Sequence, residues 1–138
     1  MKYLLKNLSI WELGKRSNQE DSIYPEHDKL KDTDKFFIVC DGMGGHSAGE
    51  VASATVCQSL AKSIKDNVES DSCFGKEQFD RLLSDVYRAL DKVDDGAEKK
   101  MGTTLTFLML HSDGAFIAHI GDSRVYHIRP GKDASGTE

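Results

Sequence analysis

Proline is scarce in this chain of 138 residues, with only Pro25 and Pro130, and no low-complexity tract is present, which excludes a proline-rich linker or a disordered segment. Long apolar runs are lacking as well. The longest, Phe36-Phe37-Ile38-Val39-Cys40, is far too short to cross a bilayer. The opening Met1-Lys2-Tyr3-Leu4-Leu5-Lys6-Asn7 is broken by Lys6 and carries no small-residue cleavage site, so it does not read as a secretory signal. A cytoplasmic protein with no membrane contact in this segment is the expectation. There is no basic excess: the formal net charge is −5, which argues against a dedicated nucleic-acid binder. Cysteine is limited to Cys40, Cys57 and Cys73, an odd number with no close pair, fitting neither a zinc site nor a disulfide framework. They read as reduced structural thiols.

What is present is ordinary globular material, 38% hydrophobic and 30% charged, enough for one domain or a piece of one. Residues 2–14 mix apolar and polar positions and read as a strand ending at Gly14, and 21–24 as a short strand. The run 36–40 suggests a strand buried on both faces. A helix is expected from Ser47, with Glu50 at capping-box spacing and Val56, Leu60, Ile64 and Val68 along one face. Residues 66–78 read as a loop. Phe79, Leu82, Leu83, Val86, Tyr87, Leu90 and Val93 then follow the i, i+3, i+4, i+7 pattern of an amphipathic helix.

After a charged connection over 91–100, strand patterns take over. Residues 103–110 and 115–120 flank His111-Ser112-Asp113-Gly114, whose Asp-Gly marks a hairpin turn. Gly121-Asp122-Ser123-Arg124 predicts a second tight turn into a strand over 125–129. That hairpin would pair Ile120 with Val125 and put His119 and His127 on opposite faces, as plain strand residues sharing no metal. Strands, two helices and strands again indicate an α+β fold with antiparallel pairing.

Two segments carry chemistry. In the first, the apolar strand runs into Asp41-Gly42-Met43-Gly44-Gly45-His46-Ser47-Ala48-Gly49-Glu50. An acid at the end of a buried strand is held rigidly, and glycines beside it let carbonyls and a ligand approach closely. Asp41 with the Gly42 carbonyl suits a hard cation such as Mg²⁺ or Mn²⁺. A Walker loop is excluded because His46 stands where Lys would be needed, and a dinucleotide fingerprint because Ser47 replaces its last glycine. The second segment is Arg16-Ser17-Asn18-Gln19-Glu20-Asp21-Ser22. Its guanidinium can grip a phosphate, and its two acids can reach a metal directly or through water.

Together these segments resemble the type-2C, metal-dependent protein phosphatases in their bacterial form. The resemblance runs through Arg16 with Glu20-Asp21, the Asp41 to Glu50 segment, Gly102-Thr103-Thr104, and Gly121-Asp122-Ser123-Arg124 continued by Val125-Tyr126. It implies half of a four-layer α-β-β-α sandwich with antiparallel sheets, residues 1–138 being the N-terminal part of the catalytic domain with the remainder absent. It implies hydrolysis of phosphoserine and phosphothreonine in proteins by a water activated between two Mg²⁺ or Mn²⁺ ions, with a third ion in some members. Residue by residue, Asp41 would bridge the cations with the Gly42 carbonyl on one of them. Glu20 would support a metal with Asp21 nearby, Asp122 would help form an additional metal site, and Arg16 would hold the phosphate. Cations would supply the positive charge that a net −5 lacks.

Many eukaryotic relatives have a histidine where Met43 stands, so His46 becomes the nearest candidate for the general acid. The aspartates that the family carries further on would lie beyond Glu138, so the fragment alone is expected to be inactive and prone to self-association. Partners are expected to be phosphorylated Ser/Thr proteins, the enzyme opposing a bacterial-type kinase. The alternatives are a regulatory phosphatase of the sporulation and stress-response branch with one dedicated partner, or a non-catalytic half-domain interaction module. Intact Arg16 and Asp41 favour the general phosphatase.

Overall fold

A computed structural model describes residues 6–44, 48–69, 72–94, 96 and 100–131. The sheet is antiparallel throughout. β1 (Asp21–Tyr24) pairs with β2 (Phe36–Met43), and β2 pairs with β4 (Leu105–His111) over its first half. The two-residue β3 (Gly102–Thr103) pairs with the end of β2, and β4 turns through Ser112-Asp113 into β5 (Gly114–Ile120). The order is therefore β1-β2-β4-β5, with β3 extending the β2 pairing. The Asp-Gly hairpin stands where the sequence puts it, with His111 opposite Gly114 and a positive φ at Gly114.

Two helices cover one face of this sheet. α1 (Ala48–Asn67) buries Gly49, Ala52, Ser53, Val56, Cys57, Leu60, Ala61 and Ile64, a stripe at i, i+3, i+4 spacing that packs on β2 and on the second helix. That second helix, α2 (Lys76–Val93), buries Phe79, Leu82 and Val86 and leaves its polar positions to solvent. Gln78 Oε1 accepts the Gly75 N–H at 2.7 Å, pinning the start of α2. Glu50 and Glu77 in the first turns and Lys65 and Lys92 in the last turns complement the helix dipoles. Phe107, fully buried on β4, is the hub of the core: it stacks on Phe79 at 5.3 Å and lies against Phe74 at 5.9 Å. Full burial of such a side chain stabilises by about 1.5–3 kcal/mol.

The α+β class and both helices are as expected; the differences lie at the strands. β2 is buried on one face only: Ile38, Cys40 and Gly42 face the helices, whereas Val39, Asp41 and Met43 are exposed. Its apolar run therefore does not mean two covered faces among the described residues. Residues 6–14, expected as a strand, form none. They are tied by side chains instead, with Asn7 donating to the Lys31 carbonyl and Trp11 Nε1 to the Asp21 carbonyl. Residues 125–129 form no strand either, so Ile120 pairs with Leu105 and His119 with Thr106, and the Ile120–Val125 hairpin is absent. His127 is thus no strand residue. α1 runs on to Asn67 and α2 begins at Lys76, which shortens the loop expected over 66–78, and Val68 packs on the core from just past the helix end. The Ser47 cap lies outside the described residues.

All three cysteines are free, Cys40 and Cys57 buried and Cys73 exposed. The neighbouring Cys57 thiol and burial push the Cys40 thiol far above its ordinary range, which keeps it an inert apolar side chain.

Candidate active site

The sheet and the segment leading into β1 bring four stretches of chain to one open cleft of ≈ 500 Å³ at the end of β2. Arg16, Glu20 and Asp21 come from residues 16–21, Asp41 and Gly42 from the end of β2, Thr104 from the break between β3 and β4, and Asp122 from the bend after β5. Six of the seven residues singled out from the sequence therefore line one wall or another of the same cleft. The seventh, His46, lies outside the described residues.

Register explains the meeting of the acids. Asp21 and Asp41 are cross-strand partners at the ends of β1 and β2, so their side chains leave the same face of the sheet side by side. Partial burial first, and then the Asp41 carboxylate beside it, raise the Asp21 carboxyl above its ordinary range. A hydrogen bond with Asp41 and the charge of Glu20 act in the same direction, while the Arg16 guanidinium opposes them. Among the described residues Arg16 makes no ion pair.

Glycine decides how closely the elements approach. The Gly42 N–H donates to the Glu20 carbonyl at 3.2 Å, and a Cβ on Gly42 would run into the Gly49 carbonyl. A Cβ on Gly49 would in turn lie 2.7 Å from Glu20 Oε2. The first turn of α1 thus crosses the end of β2 backbone to backbone, and the Glu20 carboxylate rests over that crossing.

The donor set suits a hard divalent cation. Carboxylate and carbonyl oxygens are the ligands that Mg²⁺ and Mn²⁺ prefer, and a cation would relieve the crowding of acids that raises the Asp21 carboxyl. Asp41, Asp21, Glu20 and Asp122 could each supply an oxygen. They do not form a closed shell: among the described residues no three acidic, imidazole or thiol side chains gather tightly enough to ligate one ion.

Sequence reasoning marked Thr104 and Ser123 as members of motifs and gave them no task. In the structure Thr104 Oγ1 accepts the Asp41 N–H at 3.0 Å and lies 2.9 Å from Ser123 Oγ. The signal was the Gly-Thr-Thr and Gly-Asp-Ser-Arg segments themselves, each placing a hydroxyl next to a functional turn. Gly49 was likewise quoted within its motif without a role.

Comparisons with known proteins bear on this arrangement. A family model described as protein phosphatase 2C matches residues 13–135. The chain is 35% identical over 117 residues to the serine/threonine protein phosphatase PstP of Mycobacterium tuberculosis, covering 85% of this chain and 21% of that protein. It is 34% identical over 116 residues to protein phosphatase PhpP of Streptococcus pneumoniae, covering 83% of this chain and 46% of that protein. Among solved structures, that of the M. tuberculosis phosphatase PstP/Ppp superposes with a TM-score of 0.58 at 30% identity, over 79% of this chain and 43% of that one. The PstP catalytic domain in complex with two manganese ions superposes with a TM-score of 0.54 at 32% identity, over 79% and 44%. The chain thus spans less than half the length of each of these relatives.

Proposed function

This chain belongs to the protein phosphatase 2C family, and from that premise we propose that it is the N-terminal part of a metal-dependent catalytic domain that removes phosphate from serine and threonine in proteins. The observation that carries the reading is the convergence of Asp41, Asp21, Glu20, Asp122 and Arg16, from separate segments, on one cleft. Two Mg²⁺ or Mn²⁺ ions, with Asp122 helping to form a further metal site, would supply the Lewis acidity that makes water a nucleophile at neutral pH and would offset phosphate charge. Asp41 would hold the pair, with the Gly42 carbonyl on one of its ions, and Glu20 would support a metal directly or through its waters with Asp21 nearby. Arg16, across the same cleft and without a competing ion pair among the described residues, orients the phosphate through charge-assisted hydrogen bonds. His46 is the proton donor to the departing alkoxide in this reading. Two manganese ions in the related PstP domain support the choice of cofactor.

The substrates in this reading are phosphorylated cytoplasmic proteins, and the enzyme opposes a bacterial-type kinase. No described helix is long and apolar enough to cross a membrane. Residues 1–138 alone are inactive and self-associate, because further ligands and covering strands come from chain beyond Glu138. The exposed Leu8, Ile10, Tyr126 and Ile128 and the incomplete ligand shell support this.

The test is Asp41→Asn in the full-length protein, assayed on a phosphothreonine peptide with saturating Mn²⁺. Activity is expected to vanish with the fold intact; turnover near the unsubstituted level would remove Asp41 from the cation site.

A further inference from the structure

β3 and β4 run in one register against β2, and continuing that register places Thr104 directly opposite Asp41. A regular antiparallel pair at this position would exchange two backbone hydrogen bonds. Only one is made: the Thr104 N–H donates to the Asp41 carbonyl at 2.9 Å. The Asp41 N–H goes to the Thr104 side chain instead, with Oγ1 at 3.0 Å. The displaced Thr104 carbonyl is taken by Thr103 Oγ1 at 2.9 Å, so the break in the ladder leaves it satisfied.

The Thr104 hydroxyl is therefore a built part of the sheet, buried to 3% exposure, and it has a second connection. Accepting from Asp41 leaves its own proton free, and Ser123 Oγ lies 2.9 Å away. Ser123 follows Asp122 in the bend after β5. That bend is pressed onto Thr104: Gly121 has φ +100°, and a Cβ there would lie 2.9 Å from Thr104 Cγ2. One hydroxyl thus ties the peptide of Asp41 to the turn that carries Asp122, and both acids line the same cleft.

We propose that Thr104 is a positioning residue of the cation site, its hydroxyl standing in for a backbone carbonyl so as to set the spacing between Asp41 and the Asp122 turn through Ser123. This rests on the reading of the cleft as a cation site. The hydroxyl acts here through the protein and not as a cation ligand: it accepts from the Asp41 N–H and lies within hydrogen-bond reach of Ser123 Oγ. Its effect is to hold two ligands from distant segments in mutual register, so that an ion bound by one finds the other already in place. Serine at position 104 preserves the function; valine, which keeps the shape and loses the hydroxyl, does not.

The experiment measures Mn²⁺ binding alone, by titration calorimetry on the full-length protein without substrate. Thr104→Val and Ser123→Ala are each expected to weaken the Asp122-dependent ion by about threefold to tenfold, the scale of one neutral hydrogen bond. Thr104→Ser stays within about twofold of the unsubstituted protein on the same scale. Because Ser123 acts through the Asp122 turn, Asp122→Ala combined with Ser123→Ala binds no more weakly than Asp122→Ala alone. If Thr104→Val fails to fold, Ser123→Ala and this cycle decide. Additive losses in the cycle, or unaltered Mn²⁺ affinity in both Thr104→Val and Ser123→Ala, would overturn the proposal. Asp41→Asn separates the two layers of the argument. If it loses Mn²⁺ while the Thr104 and Ser123 variants retain it, the positioning role alone falls; if it binds Mn²⁺ unchanged, the cation reading falls and takes the positioning role with it.

Discussion

The two faces of β2 are built from alternate residues of one strand and are in opposite states. On the helix side Ile38 and Cys40 are fully buried, closed over by Leu60, Val56 and the phenylalanine cluster around Phe107. On the other side Val39 and Met43 are 45% and 57% exposed, Ile117 on β5 is 43% exposed, and Asp41 opens onto the cleft. Thr106, between Val39 and His119 on that second face, carries a buried hydroxyl with no partner among the described residues. The contrast separates two kinds of constraint. The helix face is set by volume and apolar area, and any well-packed set of side chains would serve it. The open face is set by where acids, hydroxyls and missing Cβ atoms fall, and there single atoms matter.

Substitutions can sharpen or break that contrast. Phe107→Ala has the largest expected effect, about 3–5 kcal/mol of stability, because it empties the centre of the aromatic cluster. Chemical denaturation measures it, and a loss under about 1 kcal/mol would mean that the core is not organised around this ring. Arg16→Ala tests the other side. Losing a charge-assisted hydrogen-bonding partner costs about 1.5–3 kcal/mol, so kcat/KM in the full-length protein falls at least about tenfold while stability barely moves. Kinetics unaltered by this change would reject Arg16 as the phosphate-holding group.

Asp21→Asn separates stability from function at one position. Its carboxyl is raised in the folded state, so folding favours the protonated form, and the associated stability is lost as pH rises through that raised value. In chelator near neutral pH the asparagine variant is therefore slightly more stable, by at most about 1 kcal/mol given the solvent exposure. The advantage disappears as pH falls below the ordinary aspartate value of 3.8. On the proposed cation site the order reverses with Mn²⁺ present, because the variant would lack one of the carboxylates that surround the ion. Thermal melts across pH, with and without Mn²⁺, check both signs; a variant less stable in chelator at neutral pH contradicts the account. The smallest effect is expected for Val39→Thr in residues 1–138, which keeps a β-branched side chain at an exposed site and costs no more than about 0.5 kcal/mol. A larger loss by denaturation would show that this face is covered after all.

Legibility in the sequence follows the same division. α2 could be read almost whole, since its apolar positions recur at helical spacing and nothing distant is needed to interpret them. The β4–β5 hairpin was equally readable from its Asp-Gly turn. Residues 6–14 and 125–129 were not. Both alternate enough to suggest strands, but alternation records only that a segment can half-bury itself, and a strand exists only where an edge accepts it. Among the described residues β1 and β5 are the edge strands of the sheet and neither segment pairs with them; Tyr126 and Ile128 remain 75% and 89% exposed. The apolar run of β2 misled for a related reason: composition reports tolerance for burial on both faces, not the presence of two covering layers.

The sequence by itself determined the residue types at the cleft, and through its motifs the family. Asp41 with Gly42 is legible as a cation-binding pair from residue type and position, whereas Arg16, Glu20 and Asp21 read alone as an ordinary charged loop, and they and Asp122 gain their roles only through the resemblance of the motifs to the family. Tertiary structure alone decided their relations. That Asp21 stands opposite Asp41 follows from strand register, and that Gly49 must be bare follows from a helix crossing a strand at backbone contact. That Thr104 replaces a carbonyl with its hydroxyl follows from a ladder interrupted at one residue. The physical reason is common to all three. A residue type is a local property that a sequence states outright, whereas a hydrogen bond between positions 41 and 104 or 104 and 123 exists only after the chain between them has packed.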